Sequence, residues 1–366
     1  MSISTTTNYK REIYLGMGIN IGVDAGYGYI MSSAEIGEVK FSSYIKKVTE
    51  QQALEIKSEI TKAGDVNKIL VKYNDAYYAL GRLCEDMFPN ETRMITNDRV
   101  GNVYHLVQIL TSIALTLKNS NSINANLMVG VPNRLAFSKK QMKQWLENKK
   151  YEISLIGTRS INKTISIDLC HCLLQPVFPV FSAFDEVEIS QKSIMSLDIG
   201  HSSTDAIVMK NFAYSQERED IVAIQGMNRV YNWIEGELIN RFHKNHMLTS
   251  VPESKIQSLV ENGVFYLNGK KVDVSDILSS AMDDYANFLF MEVNRKYLVT
   301  LPVIDVILVS GGVASNEDFM RTFAKLFKNM EIDVMTEAEP QWSVCRGMKN
   351  VMDQLIADDA LETVNR

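Results

Sequence analysis

The chain has 366 residues, which is too long for one compact hydrophobic core and long enough for two domains. Hydrophobic residues make up 46% and charged residues 22%, as in ordinary globular proteins. The sequence contains no run of 18 or more apolar residues, which is the length that could cross a membrane. The net charge of -6 argues against a protein that binds nucleic acid over its whole surface. Because the N-terminus lacks an apolar signal core, we expect a cytoplasmic protein.

The first organised stretch is an alternating apolar strand that begins at Ile19 and ends in Asp24-Ala25-Gly26. Residues 1–18 before it are polar without periodicity, and we expect them to form a tail. Glycine lets backbone N–H groups approach phosphate oxygens, and a carboxylate there can hold a hydrated Mg²⁺ or orient a water. The stretch therefore predicts a β-hairpin whose tip touches a phosphate, although Asp-x-Gly is also ordinary turn chemistry.

A small subdomain is predicted next, inserted at about residues 37–92. Val39 to Val48 has the pattern of one strand, and two short strands follow around an Asn74-Asp75 turn.

Helical spacing of apolar residues, at i, i+3, i+4 and i+7, predicts a helix over 103–117 that faces a sheet. A strand at 126–131 follows and is ended by a proline. The basic stretch 139–150 is typical of a solvated helix face, with a contact surface for an acidic partner as the alternative. Residues 151–156 and 164–169 predict a pair of strands.

The run Cys170-His171-Cys172 raises the question of a metal site. A strand would place both thiols on one face and the histidine on the other, and no second Cys/His cluster supplies further ligands. We therefore interpret these residues as part of a buried strand.

A second hairpin repeats the pattern of the first. An apolar run from Ser193 ends at Asp198, Gly200 follows, and Asp205 opens the next apolar run after small hydroxyl residues. Asp24 and Asp198 lie 174 residues apart, which is one domain length. The repeat therefore predicts two related domains, each of which offers a phosphate hairpin to a shared cleft.

The second half continues with a strand at 221–226 that ends in glycine and a helix over 227–243. Mixed, charged residues make 244–277 the expected place of a second small subdomain. A long amphipathic helix over 278–292 has an apolar stripe that we assign to the core.

A buried parallel strand is predicted at Val306 to Val309, because four aliphatic residues follow one another. The glycines Gly311 and Gly312 after it let the backbone pass close to a ligand. Ser315 or Asn316 would cap the next helix, which carries phenylalanines at helical spacing.

The order of these motifs resembles that of the actin, heat-shock chaperone and sugar kinase superfamily, from residue 19 to about residue 350. The motifs are Asp24-Ala25-Gly26, Gln175 in a connecting segment, Asp198-Ile199-Gly200 and Ser310-Gly311-Gly312. Within the superfamily the chain is similar to the plasmid-segregating bacterial actins of the ParM group. That similarity is carried by Leu197-Asp198-Ile199-Gly200 with Thr204-Asp205, by Leu127 to Pro132 and by Gln341 to Met348.

The resemblance implies an actin-like α/β fold with two ribonuclease H-like domains, each with a small inserted subdomain, and a nucleotide in the cleft between them. Domain I would span 19–185 and domain II 186–349, with a helix at 350–366 that packs back on domain I. It also implies a homopolymeric filament that segregates plasmid or phage DNA through a DNA-binding adapter protein at a centromere-like site. Direct contact with nucleic acid or membrane is not implied.

The resemblance also assigns roles to residues. Asp24 and Asp198 would hold Mg²⁺ through water, Gln175 would orient the attacking water, and ATP or GTP would be hydrolysed faster in the polymer. The nucleotide would be contacted by Ala25, Gly26, Tyr27, Gly28, Tyr29, Gly200, His201, Ser202, Ser203, Gly226, Glu235, Arg241, Ser310, Gly311, Gly312 and Val313.

Two positions depart from the ParM pattern. The lysine usual seven residues after the first aspartate is Met31 here, so Mg²⁺, backbone N–H groups or another side chain must meet the phosphate charge. Where ParM-type proteins often carry glutamate, this chain has Gln175. An amide orients a water without acting as a strong base, so we expect slow hydrolysis that depends on the filament.

Other functions of the same superfamily stay open. Another bacterial cytoskeletal actin is one alternative, although the acidic segment 357–362 disfavours direct membrane anchoring. A metabolite kinase, for sugars or acetate, is another, but no convincing substrate-side carboxylate base stands out. A chaperone-type ATPase would need a substrate-binding domain, for which few residues follow Met348.

Overall fold

The computed structural model describes residues 18–88, 99–214, 224–246, 248–298 and 304–364. The predicted tail lies outside these ranges except for Gly18, and so do residues 221–223 of the strand predicted at 221–226. By its internal contacts the chain divides into two compact units, residues 1–182 with 344–366 and residues 183–343.

The first unit is built on a nine-stranded sheet in the order β3-β2-β1-β7-β9-β8-β5-β6-β4. Its strands are β1 (Ile19–Ala25), β2 (Tyr29–Ala34), β3 (Gly37–Ser42), β4 (Ile45–Val48), β5 (Ile69–Tyr73), β6 (Ala76–Leu80), β7 (Ser122–Val131), β8 (Lys149–Leu155) and β9 (Ile161–Leu174). β1 and β2 form the predicted hairpin, while β1, β7 and β9 run parallel. The carboxyl ends of these three neighbouring strands therefore lie at one edge of the sheet.

The second unit contains a sheet in the order β12-β11-β10-β16-β17, with β13 paired to β11, and a separate hairpin β14–β15. Its strands are β10 (Ser193–Ile199), β11 (Ser203–Lys210), β12 (Ala213–Tyr214), β13 (Ile224–Gln225), β14 (Phe265–Leu267), β15 (Lys270–Val272), β16 (Val306–Ser310) and β17 (Asp333–Met335). β10 and β11 form the second predicted hairpin, and β16 runs parallel to β10 as its aliphatic run predicts.

The α-helices are α1 (Glu50–Glu59), α2 (Arg82–Met87), α3 (Val103–Thr116), α4 (Lys139–Leu146), α5 (Phe178–Ala183), α6 (Glu186–Gln191), α7 (Asn228–His246), α8 (Glu253–Asn262), α9 (Ser275–Val293), α10 (Glu317–Phe327) and α11 (Ser343–Val364). Short 3₁₀ turns lie at Asn133–Ser138, Gln175–Val177, Gly312–Ser315 and Lys328–Met330, and a π-helical turn at Asn294–Leu298. None of the helices in the described ranges is long and apolar enough to span a bilayer.

The core of the second unit confirms the predicted amphipathic helices. α9 buries a stripe that includes Ala281, Met282 and Leu289. Asn316 caps α10, because its side chain accepts a hydrogen bond of 2.9 Å from the backbone N–H of Phe319. Phe319, Phe323 and Phe327 of α10 are buried.

Two predictions about local structure are wrong. Val39 to Val48 is not one strand, because Ser43 donates its N–H to Gly28 and accepts a 2.6 Å hydrogen bond from Gln108 at its carbonyl. The pairing of β3 with β2 therefore ends at Ser42. The second part of the predicted strand is β4, which pairs with β6 and not with β2. The basic stretch 139–150 is not all helix either, since α4 ends at Leu146 and Lys149 opens β8.

The helix predicted at 103–117 is α3, which lies on the sheet in contact with β1, β2 and β3. Lys163 of β9 closes its carboxyl end. The ammonium Nζ donates to the carbonyls of Leu117 at 2.8 Å, Lys118 at 3.0 Å and Ser120 at 2.6 Å, and only 2% of the residue is exposed. Burial lowers the pKa of Lys163, while the carbonyl groups and the helix end favour its charge.

We expect the substitution Lys163→Met to lower the free energy of unfolding by about 2–3 kcal/mol, since three carbonyl groups lose their donor. Lys149→Met is the matched control, because Lys149 is an exposed lysine of the same sheet and its loss should change stability by less than about 0.5 kcal/mol. Denaturant unfolding of both variants provides the measurement. Equal stability of the two variants would contradict the role of Lys163.

Candidate functional site

The first hairpin presents a buried carboxylate at the sheet edge. Asp24 is the penultimate residue of β1 and is 8% exposed. Gln175, in the turn that follows β9, donates from Nε2 to Oδ1 of Asp24 at 2.6 Å. Burial raises the pKa of the Asp24 carboxyl, while the hydrogen bond from Gln175 and the charge of Arg99 act in the opposite direction.

The strand order explains how Asp24 and Gln175 meet although 151 residues separate them. β7 lies between β1 and β9, and all three strands are parallel, so residues at their carboxyl ends converge. The same edge carries the segment that follows β7, which turns into the 3₁₀ residues Asn133–Ser138. A hydrogen-bonded pair of buried polar side chains is thus assembled from strands that are distant in sequence.

The turn of the first hairpin contains the predicted residues Ala25, Gly26, Tyr27, Gly28 and Tyr29. Its backbone is held by the rest of the unit. Ser43 donates its side-chain hydroxyl to the carbonyl of Tyr27 and its N–H to the carbonyl of Gly28.

Two arginines that the sequence did not single out also lie at this turn. Arg99 is buried and donates from Nη1 to the carbonyl of Ala25 at 3.1 Å. The guanidinium carbons of Arg99 and Arg134 lie 4.4 Å and 5.1 Å from the centroid of the Tyr27 ring. The only sequence signal for Arg134 is its place two residues after Pro132, which ends the strand β7.

The tip of the second hairpin packs against the start of α7. The N–H of Gly200 donates a 2.9 Å hydrogen bond to the carbonyl of Ser203. The carbonyl of Gly200 accepts a 3.0 Å hydrogen bond from the N–H of Met227. Gly226 donates to the carbonyl of Ser202 at 3.3 Å, and Asn228 donates to that of His201 at 2.8 Å. The structure therefore brings together the predicted residues Gly200, His201, Ser202, Ser203 and Gly226.

Asp198 occupies the position in the second hairpin that Asp24 has in the first. It is also 8% exposed, and its Oδ1 accepts a 3.0 Å hydrogen bond from the hydroxyl of Ser310 at the end of β16. Asp198 pairs in register with Asp205 on β11 and with Ser310 on β16. Each unit thus has a buried aspartate at the end of its central strand beside a glycine turn, and the second unit has a further buried aspartate, Asp205, opposite it.

Gly311 follows Ser310 in a conformation that only glycine adopts readily, with φ at +92°. A Cβ atom there would lie 2.2 Å from the carbonyl oxygen of Ile199, so the turn after β16 passes directly over β10. At Gly312 a Cβ would meet no atom within 4 Å. The side chain of Val313 lies in the apolar core, and its carbonyl accepts a 2.8 Å hydrogen bond from the N–H of Asn316.

Three predicted contact residues have other partners in the second unit. The side chain of His201 is 5% exposed, and its Nε2 lies 3.6 Å from Oε1 of Glu253. Glu235 accepts a 3.0 Å hydrogen bond from the backbone N–H of Val251. Arg241 binds both carboxylate oxygens of Asp276, which lowers the pKa of that carboxyl to about 2.

The donor set suits a hard cation that keeps most of its water. In the part of the chain that the structure describes, no group of three or more His, Cys, Asp or Glu side chains could hold a metal by itself. Asp24 has the amide of Gln175 beside it, and Asp198 has the hydroxyl of Ser310 beside it and Asp205 opposite it on β11. Mg²⁺ is typically bound in this way, through one or two carboxylates, waters and phosphate oxygens of a substrate.

Two family models match the chain. The model described as "Actin like proteins N terminal domain" matches residues 22–177, and "Archaeal actin homologue MreB-like, C-terminal" matches residues 196–320. Together they cover about three quarters of the sequence. Comparison with curated proteins gives no match.

Solved structures share the fold of the whole chain at low identity. The actin-like protein Alp7A has a TM-score of 0.75 and 14% identity, over 96% of this chain and 100% of that one. A 15-stranded ParM filament from Clostridium botulinum has a TM-score of 0.68 and 16% identity, over 92% and 99%. Bacillus thuringiensis ParM with AMPPNP has a TM-score of 0.64 and 16% identity, over 92% and 99%.

Proposed function

Since the chain belongs to the actin-like proteins, we propose that it is a filament-forming nucleoside triphosphatase that segregates plasmid or phage DNA through a DNA-binding adapter protein. ParM proteins are among the structures that share its fold, one of them as a filament and one with AMPPNP. The observation that carries the proposal is the pair of buried aspartates, each at the end of a central strand and beside a glycine turn.

Each turn contributes backbone N–H groups to the phosphates of ATP or GTP, and glycine lets them approach the oxygens. Asp24 and Asp198 would hold Mg²⁺ through its waters. The metal would neutralise phosphate charge and favour departure of the leaving diphosphate. Ser310 fixes the carboxyl group of Asp198 by the hydrogen bond to its Oδ1.

Gln175 orients the attacking water. Its Nε2 is engaged by Asp24 at 2.6 Å, so its Oε1 is the atom that accepts a hydrogen bond from the water. An amide cannot take the proton as a strong base does, and correct placement of the water must therefore supply most of the rate enhancement. Contacts between subunits in the filament would improve that placement.

Light scattering and pelleting with Mg-ATP, Mg-GTP and Mg-ADP test the proposal on the full chain. We expect polymer with at least one triphosphate, loss of that polymer when EDTA removes Mg²⁺, and no polymer with ADP. Phosphate release per chain should rise once the protein concentration passes the point at which polymer pellets. Failure to polymerise with either triphosphate would overturn the filament proposal, and equal hydrolysis by monomer and polymer would overturn the role given to filament contacts.

A further inference from the structure

Arg134 carries an unsatisfied hydrogen-bonding edge. Its Nε and Nη2 atoms are buried and have no hydrogen-bond partner among the residues that the structure describes. These two nitrogens form one side of the guanidinium, the same side with which Arg346 binds both carboxylate oxygens of Glu38 at 2.7 and 2.8 Å. Buried donors without partners are costly, so this pair of nitrogens gains free energy when it turns outward and binds a ligand with two oxygens.

The surroundings of Arg134 identify the ligand as an anion of the nucleotide site. Arg134 leaves the sheet after β7, the strand between β1 with Asp24 and β9 with Gln175. Its guanidinium packs on Tyr27, which lies in the turn of the first hairpin. Arg99 packs on the same ring, and its Nη1 donates to the carbonyl of Ala25, so this arginine supports the backbone of the turn.

The residue at position 31 supplies no positive charge for the phosphates. Met31 lies directly opposite Asp24 in the register of β1 and β2, and it is buried and uncharged. Any side-chain cation that joins Mg²⁺ at the phosphates must therefore come from another element at this edge of the sheet. Arg134 provides a planar fork that matches the spacing of two phosphate oxygens.

We propose that Arg134 binds the terminal phosphate of the nucleoside triphosphate through its Nε–Nη2 edge. The role rests on the proposed function, since it requires a triphosphate at the first hairpin. Tyr27 covers the guanidinium in the structure, so the fork reaches the phosphate by turning away from the ring. This movement breaks no hydrogen bond of the fork to the protein, because Nε and Nη2 have none to the described chain.

The test compares Arg134→Gln, Arg134→Lys and the control Arg82→Gln in calorimetric titrations with Mg-AMPPNP and Mg-ADP, below the concentration that polymerises. Arg82 belongs to the same unit, and its side chain is 70% exposed. We expect Arg134→Gln to bind AMPPNP about ten- to one-hundredfold more weakly and ADP within about threefold of the wild type. Arg134→Lys should fall between, since lysine keeps the charge without the fork. Arg82→Gln should bind like the wild type.

The thermal midpoint without nucleotide separates ligand binding from a structural role. It should be unchanged or higher in Arg134→Gln, because the variant loses no hydrogen bond of the Nε–Nη2 edge to the described protein and removes two buried donors without partners. Unchanged AMPPNP binding by Arg134→Gln, or an equal loss for AMPPNP and ADP, would overturn the role of Arg134 while leaving the proposed function standing. A wild-type chain that binds neither nucleotide would overturn the proposed function itself, and this role with it.

Discussion

The Asp24→Asn variant should hydrolyse ATP or GTP at least about 100-fold more slowly than the wild type and yet be more stable without nucleotide. Hydrolysis falls because asparagine has no charge with which to hold the hydrated Mg²⁺. Its Oδ1 still accepts the hydrogen bond that Gln175 donates to Asp24, so the local packing is retained. Phosphate release and thermal unfolding of the same preparation measure the two effects.

The gain in stability has a defined pH dependence. Burial raises the pKa of Asp24 above its ordinary value of 3.8 in the folded chain. The shift contributes its full stabilisation when the pH is below the pKa that Asp24 has in the unfolded chain. This stabilisation is lost as the pH rises through the pKa of Asp24 in the folded chain. At neutral pH the buried carboxylate is therefore a cost that asparagine removes, and the advantage of Asp24→Asn should shrink as the pH falls through the folded pKa.

Asp86→Asn is the matched control, since Asp86 is 67% exposed in the same unit and pairs only with the exposed Arg82 among its described neighbours. It should hydrolyse nucleotide like the wild type. A hydrolysis rate of Asp24→Asn equal to that of the wild type would contradict the metal role of Asp24. A thermal midpoint of Asp24→Asn below that of the wild type at neutral pH would contradict the destabilisation assigned to the buried charge of Asp24.

The α/β actin-like fold implied by the resemblance of the motif order is confirmed by the two family models and by the solved structures of the same fold. Local patterns were sufficient for the individual elements. The alternating strands before Asp24 and Asp198, the aliphatic run of β16 and the stripes of α3 and α9 each depend on residues close in sequence.

Contacts between distant segments could not be predicted in this way. Arg99 meets Ala25 across 74 residues, and an arginine in a connecting segment has no periodicity that would reveal its partner. Glu235 and Arg241 were assigned to the nucleotide from their place on a helix, but the structure pairs them with Val251 and Asp276. Both partners lie within the segment 244–277, whose mixed composition gave no firm pattern. The nucleotide contacts assigned to Glu235 and Arg241 therefore stay predictions.

We expect Gly347→Ala to lower the free energy of unfolding by about 3 kcal/mol or more. Gly347 of α11 lies against the backbone of Phe178 at the start of α5, and a Cβ atom there would be 1.9 Å from the carbonyl oxygen of Phe178. The obstacle is backbone, which cannot rotate aside as a flexible side chain could, so α11 must shift. That shift would open the cluster in which Met348 and Met352 pack against Met128 and Phe178.

Gly236→Ala makes the same chemical change in α7, where a Cβ would meet no atom within 4 Å. Because alanine favours the helix over glycine, this control should gain about 0.5–1 kcal/mol. The two alanine substitutions therefore have opposite expected signs, which excludes a general effect of glycine removal on the unfolded chain. Thermal and denaturant unfolding measure both variants, and a Gly347→Ala midpoint at or above that of the wild type would show that α11 and α5 are not in the close contact described.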